Sequence, residues 1–312
     1  MMDRREAEAV SIDCETFSLL DLKKVGAHRY AEHSSTEVLV LCYRFPDGER
    51  GKWLPGERCP SRLRRHIESG GLIRAWNAQF ERLILQYVMG PKYGWPVPKL
   101  RQYRCTMVRA YVMGLPGKLD LASYAVGLPE GKDKGGSKIM LELCKPRKSG
   151  RRWTRENAPY KFQRLDEYCA QDVDREFEIN ELILHLRPED QELYFLDQEI
   201  NDRGVFIDMP LVKACQGIAT AELTRLDREM REVTGYRVDR VTGKTEGVES
   251  CSAVAQIKRF LVETGLRDFD VDDSLDKEGI ENLLVRDDLT NTQRTVVELR
   301  KEAGKASTAK LK

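Results

Sequence analysis

Three pairs of residues in this chain of 312 have types and spacings that could do chemistry. The first is Asp13 and Glu15, in the stretch AVSIDCETF, where an apolar run gives way to carboxylates. If residues 9–13 form a strand, its two-residue period puts both carboxylates on one face at the strand's end. Burying two like charges beside Val10 and Ile12 is costly unless a cation lies between them. A hard divalent ion such as Mg²⁺ is the simplest such partner, because it takes carboxylate oxygens. A strand end emerging into water is the plainer alternative. The chain has seven Asp-x-Glu pairs, beginning at Asp13, Asp47, Asp174, Asp190, Asp197, Asp227 and Asp276, and most must be ordinary surface charge.

The second pair is Asn77 and Glu81, in WNAQFERLIL. Asn77 stands where a strand gives way to a helix, a good capping position. Glu81 follows one turn later, near the positive end of the helix dipole. No other asparagine in the chain has an acidic residue four positions on. The third pair is Tyr168 and Asp172, in EYCAQDVDREFE, which share a helix face. Asp174 falls about 240° around from Tyr168 at roughly 100° per residue and is left out of the site.

These residues need elements to carry them. Residues 9–13, 37–45 and 51–54 read as strands, the last two separated by the turn cluster PDGERG. A helix over 61–69 is closed by Gly70 and Gly71, a strand over 72–76 follows, and an amphipathic helix starts at Asn77. Strands in meander, then a helix, a strand and further helices, point to a mixed α/β domain. Residues 129–159 read as basic surface loops around one short helix. Residues 162–186 read as a long helical stretch ending before Pro188, followed by helices over 188–203 and from Met209 to about Thr234. The rest reads as mainly helical, with a turn-rich break at 235–251, and a domain boundary is expected near Pro188.

Composition narrows the class. The chain is 41% hydrophobic and 33% charged, as a water-soluble globular protein is. No apolar run approaches the roughly 20 residues that cross a bilayer, and the first ten residues contain no signal-peptide core. Eight scattered cysteines without a CxxC pair argue against structural zinc and for reduced thiols. The net charge of +1 hides an asymmetry: residues 82–164 hold 18 basic and 5 acidic side chains. Clustering of that kind attracts phosphate backbones.

Taken in order, Asp13-x-Glu15, Asn77-xx-Phe80-Glu81 and Tyr168-xxx-Asp172 resemble the three motifs of DEDDy 3′–5′ exonucleases. The resemblance implies an RNase H-like α/β fold, a mixed sheet flanked by helices. It extends further: LDQEINDRGVFID, residues 196–208, is similar to the segment joining the proofreading domain of family A DNA polymerases to the polymerase proper. VVELRKEAGKASTAKL, residues 296–311, resembles the end of the thumb just before the palm. The combination is closest to the bacteriophage-type branch, and the likeness covers nearly all of the chain. On it, residues 1–187 are expected to form the exonuclease domain. Residues 188–312 are expected to form a mainly α-helical connector and partial thumb, without palm or fingers. Glu81 departs from the pattern, since most of the family has Asp there; one extra methylene still lets the carboxylate reach a metal by a shifted rotamer or a bridging water.

The chemistry implied is two-metal-ion phosphodiester hydrolysis, with Mg²⁺ or Mn²⁺. Asp13, Glu15 and Asp172 would hold one ion, with Asp13 shared by a second on which Glu81 acts mainly through water. Tyr168 would orient the attacking water, its unperturbed pKa of about 10 making it a weak base. Asn77 would hold the helix start, and Leu19 falls where the family places an apolar wedge against the terminal base. Arg147, Lys148, Arg151 and Arg152 with Trp153 would track a single-stranded backbone and stack a base. The partner expected is a single-stranded DNA 3′ end or frayed primer terminus, met by a monomer in the cytosol without a membrane. Two other readings fit the motifs. One is an exoribonuclease, since the motifs bind phosphate and metal rather than the sugar. The other is a catalytically silent DNA-binding module, against which the presence of all five site positions argues.

Overall fold

The computed structural model describes residues 4–129, 134–147 and 150–304. They fall into two compact units, Met1–Gly204 and Val205–Lys312.

The first unit is built on a five-stranded sheet in the order β3-β2-β1-β4-β5. Its strands are β1 (Val10–Phe17), β2 (Glu37–Arg44), β3 (Arg50–Trp53), β4 (Ile73–Ala75) and β5 (Tyr103–Cys105). β1, β2 and β3 pair antiparallel, as short connections allow, while β4 and β5 run parallel to β1 after helical crossovers. This is a mixed sheet flanked by helices, followed by a mainly helical region, as the motif resemblance implies.

Both faces of the sheet are covered. Ile12 and Cys14 point into the larger core, with Leu63, Ile67, Leu83, Ile84 and Trp53. Trp53 is fully buried, edge-on to Tyr93 and Trp95 with ring centroids 5.0 and 5.4 Å away. The opposite face packs Phe17, Val40 and Cys42 against Phe162, Leu165, Cys169 and Val173 of the helix Pro159–Leu182. Each fully buried aliphatic side chain there contributes about 1.5–3 kcal/mol. Pro159 starts that helix in its first turn, where a missing N–H costs nothing, and Ile183 leaves it in an extended conformation.

Several boundaries differ from the sequence reading. β1 does not end at Asp13 but continues to Phe17, so the two acidic residues lie within the strand. The covering helix is the reason, because it turns what looks like an exit into solvent into a lined interior face. The long helix starts and stops a few residues before the expected 162–186. β5 was not anticipated; three residues are too few for a periodicity to declare itself. The helix Pro188–Arg203, expected to open the second domain, belongs to the first unit. Tyr194 and Phe195 enter the larger core, and Asp202 receives two hydrogen bonds from buried Arg82, at 2.6 and 2.8 Å.

The second unit is helical around Leu226, Met230, Ile257, Leu261, Ile280, Val296 and Val297. Its helices are Met209–Thr234, Val254–Glu263, Lys277–Leu284 and Asn291–Ala303. Local sequence explains three of their starts. Asp208 and Asp276 cap by accepting from Leu211 N and Gly279 N, and Thr290 with Gln293 forms a capping box. The turn-rich break contains a minimal hairpin of Arg237–Val238 with Thr245–Glu246. No described helix is long and apolar enough to cross a membrane.

Candidate active site

Ser11, Asp13, Glu15 and Phe17 alternate along β1 toward the helix Pro159–Leu182. The ladder to β2 stays in register through Glu15 and slips between Glu15 and Thr16. A bulge there re-aims the strand just past the second carboxylate. From the covering helix comes Asp172. One oxygen each of Asp13, Glu15 and Asp172 lies within 4.8 Å of the others. One turn earlier on the same helix, the Tyr168 hydroxyl donates to the Asp172 carboxylate.

Glu81 enters from the helix Ala78–Ile84, which β4 feeds. Its side chain is buried, with the Cys14 thiol 4.0 Å from Oε1 and no partner for Oε2. Asn77 occupies the N-cap position but its side chain makes no capping hydrogen bond, so it does not hold the helix start in the way the sequence suggests. It is solvent-exposed instead.

Electrostatically the carboxylates are crowded. Burial pushes the Asp13 carboxyl up to about 6, the charge of Glu176 acting in the same direction. Burial, then Asp13, push Asp172 up to about 8. Glu15 and Glu81 are held well above the usual carboxylate range by burial first and by Asp13 second. Burial, then Asp172, raise the Tyr168 phenol, which stays protonated and can donate. No basic side chain forms an ion pair with Asp13, Glu15, Glu81 or Asp172 among the described residues. Oxygen-only donors, like charges in near contact and an orphaned buried oxygen on Glu81 fit a hard divalent cation. Two thiols donate at the edge of the cluster, Cys144 Sγ to Glu15 Oε2 at 3.8 Å and Cys169 Sγ to the Asp13 carbonyl oxygen at 3.4 Å. All eight cysteines are unpaired, as expected.

The remaining candidates lie apart from this cluster or are engaged elsewhere. Leu19, just beyond β1, is 60% exposed, its N–H donating to Ser35 Oγ at 3.0 Å. Arg152 donates to Glu37 Oε2 at 2.6 Å and covers the Phe17 ring. Trp153 is half-buried, with Arg147 and Lys161 stacked on its ring at 4.2 and 4.6 Å. Arg151 is exposed, and Lys148 lies outside the described residues. Asp174, set aside on helical angle, accepts from Arg44 and Arg50 at 2.7 and 2.8 Å, away from the carboxylates.

One residue escaped the sequence reading. Glu176 is only 2% exposed and its charge acts on both Asp13 and Glu81. Its signal was the repeat of the four-residue spacing, Tyr168 to Asp172 to Glu176, obscured because Asp174-x-Glu176 passed as one of the surface pairs.

No protein-family model matches the chain. Across 97% of its length it is 34% identical to a DNA polymerase of Bacillus phage SP02, of which it covers 45%. The chain thus spans less than half the length of that curated relative. Among solved structures, it aligns with the POL domain of Pol1 from M. smegmatis in complex with DNA primer-template and dNTP. That match has a TM-score of 0.47 and 10% identity, over 97% of this chain and 45% of the other. A likeness of that size carries no weight for function.

Proposed function

We propose that the first unit is a 3′–5′ exonuclease that removes nucleotides from DNA 3′ ends, the proofreading part of a longer DNA polymerase. The observation that carries the reading is the meeting of Asp13, Glu15 and Asp172 within 4.8 Å, beneath a tyrosine bonded to Asp172. The similarity to a phage DNA polymerase supports DNA as the substrate.

Asp13, Glu15 and Asp172 would hold one divalent cation, and Asp13 with Glu81 a second, Mg²⁺ or Mn²⁺ in each case. Bound there, the pair supplies the positive charge that offsets charge developing on the phosphate during hydrolysis. The protein's own contribution is positioning. β1 and the helix Pro159–Leu182 hold the carboxylates on rigid elements, so little reorganisation is needed when the substrate arrives. Tyr168 orients the attacking water by hydrogen bonding; its raised pKa removes it as a base at neutral pH. Leu19, exposed just beyond β1, would be the apolar wedge against the terminal base.

The test is digestion of a 3′-labelled single-stranded DNA with Mg²⁺ or Mn²⁺, beside Asp13→Ala and a matched RNA. Stepwise release of mononucleotides from DNA, lost in the variant, is the expected result. No release with either ion, or equal activity in the variant, would end the proposal. Faster digestion of RNA would move it to the exoribonucleases.

A further inference from the structure

Glu176 lies one turn beyond Asp172 on the face of the helix Pro159–Leu182 that carries Tyr168 and Asp172. Beneath that helix, Ser11 stands next to Asp13 on the same face of β1. Ser11 is paired across the parallel β1–β4 ladder with Arg74, whose guanidinium approaches the Ser11 hydroxyl at 3.3 and 3.4 Å. The same guanidinium stands 4.0 Å from Glu176 Oε1. Glu176 therefore belongs to the floor that carries Asp13, at its Ser11 end.

The partners of Glu176 are unequal. Thr106 Oγ1 donates to Oε1, while Oε2 is buried with no hydrogen-bond partner. Glu81 Oε2 is in the same condition, and these are the two carboxylate oxygens so placed among the described residues. A glutamate present only to neutralise Arg74 is expected to close on it with both oxygens, the geometry a guanidinium favours. At 4.0 Å from one oxygen it does not. A buried carboxylate with a free oxygen is costly unless something positive or a proton donor faces it. The charge of Glu176 acts on the carboxylates of Asp13 and Glu81 as well as on the buried guanidinium of Arg109.

We infer that Glu176 is a fifth carboxylate of the metal centre, positioning the water shell of the second divalent cation beside Asp13 and Glu81. The inference rests on the two-cation reading proposed above. Asp13, Glu15 and Asp172 are the carboxylates that already lie within ligating distance of one another, so Glu176 acts from outside that set, through water. Thr106 donates to one Glu176 oxygen, and the other, buried without a partner, would be the one to meet the ion's hydration.

Mn²⁺ binding to the full chain, followed by electron paramagnetic resonance without substrate, tests this independently of activity. The wild type is expected to take two Mn²⁺ ions. Glu176→Gln keeps the shape and the Thr106 contact but loses the charge. It should retain the tighter ion and weaken the other roughly 10-fold or more, the range for lost outer-shell partners, with an unchanged or higher melting temperature in chelator. Glu176→Asp, read in the same way, should weaken the same ion less, and serves if the glutamine variant does not fold. Unchanged Mn²⁺ affinities in both variants, with lower metal-free melting, would make Glu176 a structural partner of Arg74 and overturn the inference alone. A wild type that takes up no Mn²⁺ would overturn the two-cation reading as well.

Discussion

The Tyr168 hydroxyl donates to the Asp172 carboxylate one helical turn further along, tying the orienting group to a metal-ligand candidate. A side chain held in this way can aim a water without bearing charge. Tyr168→Phe removes only the hydroxyl. It should lower the turnover of single-stranded DNA by roughly 10–100-fold, the scale of a misplaced reactant, with Mn²⁺ affinity and melting temperature nearly unchanged. Asp13→Ala, by contrast, should cost roughly 1,000-fold, since the charge stabilisation at stake is several kcal/mol. Single-turnover digestion alongside Mn²⁺ titration separates the two.

Stability without metal should fall as pH rises. Asp13 and Asp172 sit at about 6 and about 8 in the fold against 3.8 as their ordinary value. Between pH 4 and 8 the folded chain thus holds protons that the unfolded chain has released. The stabilisation is complete below about pH 4 and is lost as pH rises through the two folded values. A bound cation replaces those protons. Mn²⁺ should accordingly raise the melting temperature more at pH 8 than at pH 5.5, by roughly 2–4 °C for each kcal/mol gained. Calorimetry with and without chelator at both pH values checks the sign; an equal shift at both would contradict it.

Glu81 is held in place at a cost to the metal-free protein, because Oε2 is buried without a partner. Glu81→Gln should raise metal-free melting slightly and reduce digestion at least about 10-fold, a trade of activity for stability. Glu81→Asp should stay within about tenfold of the wild type in Mg²⁺, the shorter arm acting through water. Paired melting and digestion assays on the two variants decide this.

Arg82, next to Glu81 in the chain, is buried and held by Asp202 and by Gln198 Oε1 at 3.4 Å. Asp202→Ala leaves that guanidinium without its counter-charge. Because Asp202 is partly solvent-exposed, the expected loss is about 2 kcal/mol, below the range for fully buried pairs. Urea unfolding followed through the first unit's tryptophans measures it.

Much of the site was legible because it is written in short periods. Two residues apart in a strand and four apart in a helix share a face in any fold, so Asp13 with Glu15 and Tyr168 with Asp172 could be paired from spacing alone. Asn77 shows the limit of local rules: its position is a cap, yet its side chain makes no cap bond. The helix Pro188–Arg203 shows another. Its pattern predicts a helix, but not that Tyr194 and Phe195 fill the first unit's core.

By itself the sequence determined most of the longer elements and the residue pairs within them, since backbone periodicity and capping act over a few residues. Only the tertiary structure decided which of seven Asp-x-Glu pairs are buried, because burial depends on what packs above them from far along the chain. Placing the helix Pro159–Leu182 over β1 drew Asp172 onto Asp13 and Glu15 and took Glu176 out of water. It left Asp174, two residues from each, half-exposed and paired with Arg44 and Arg50.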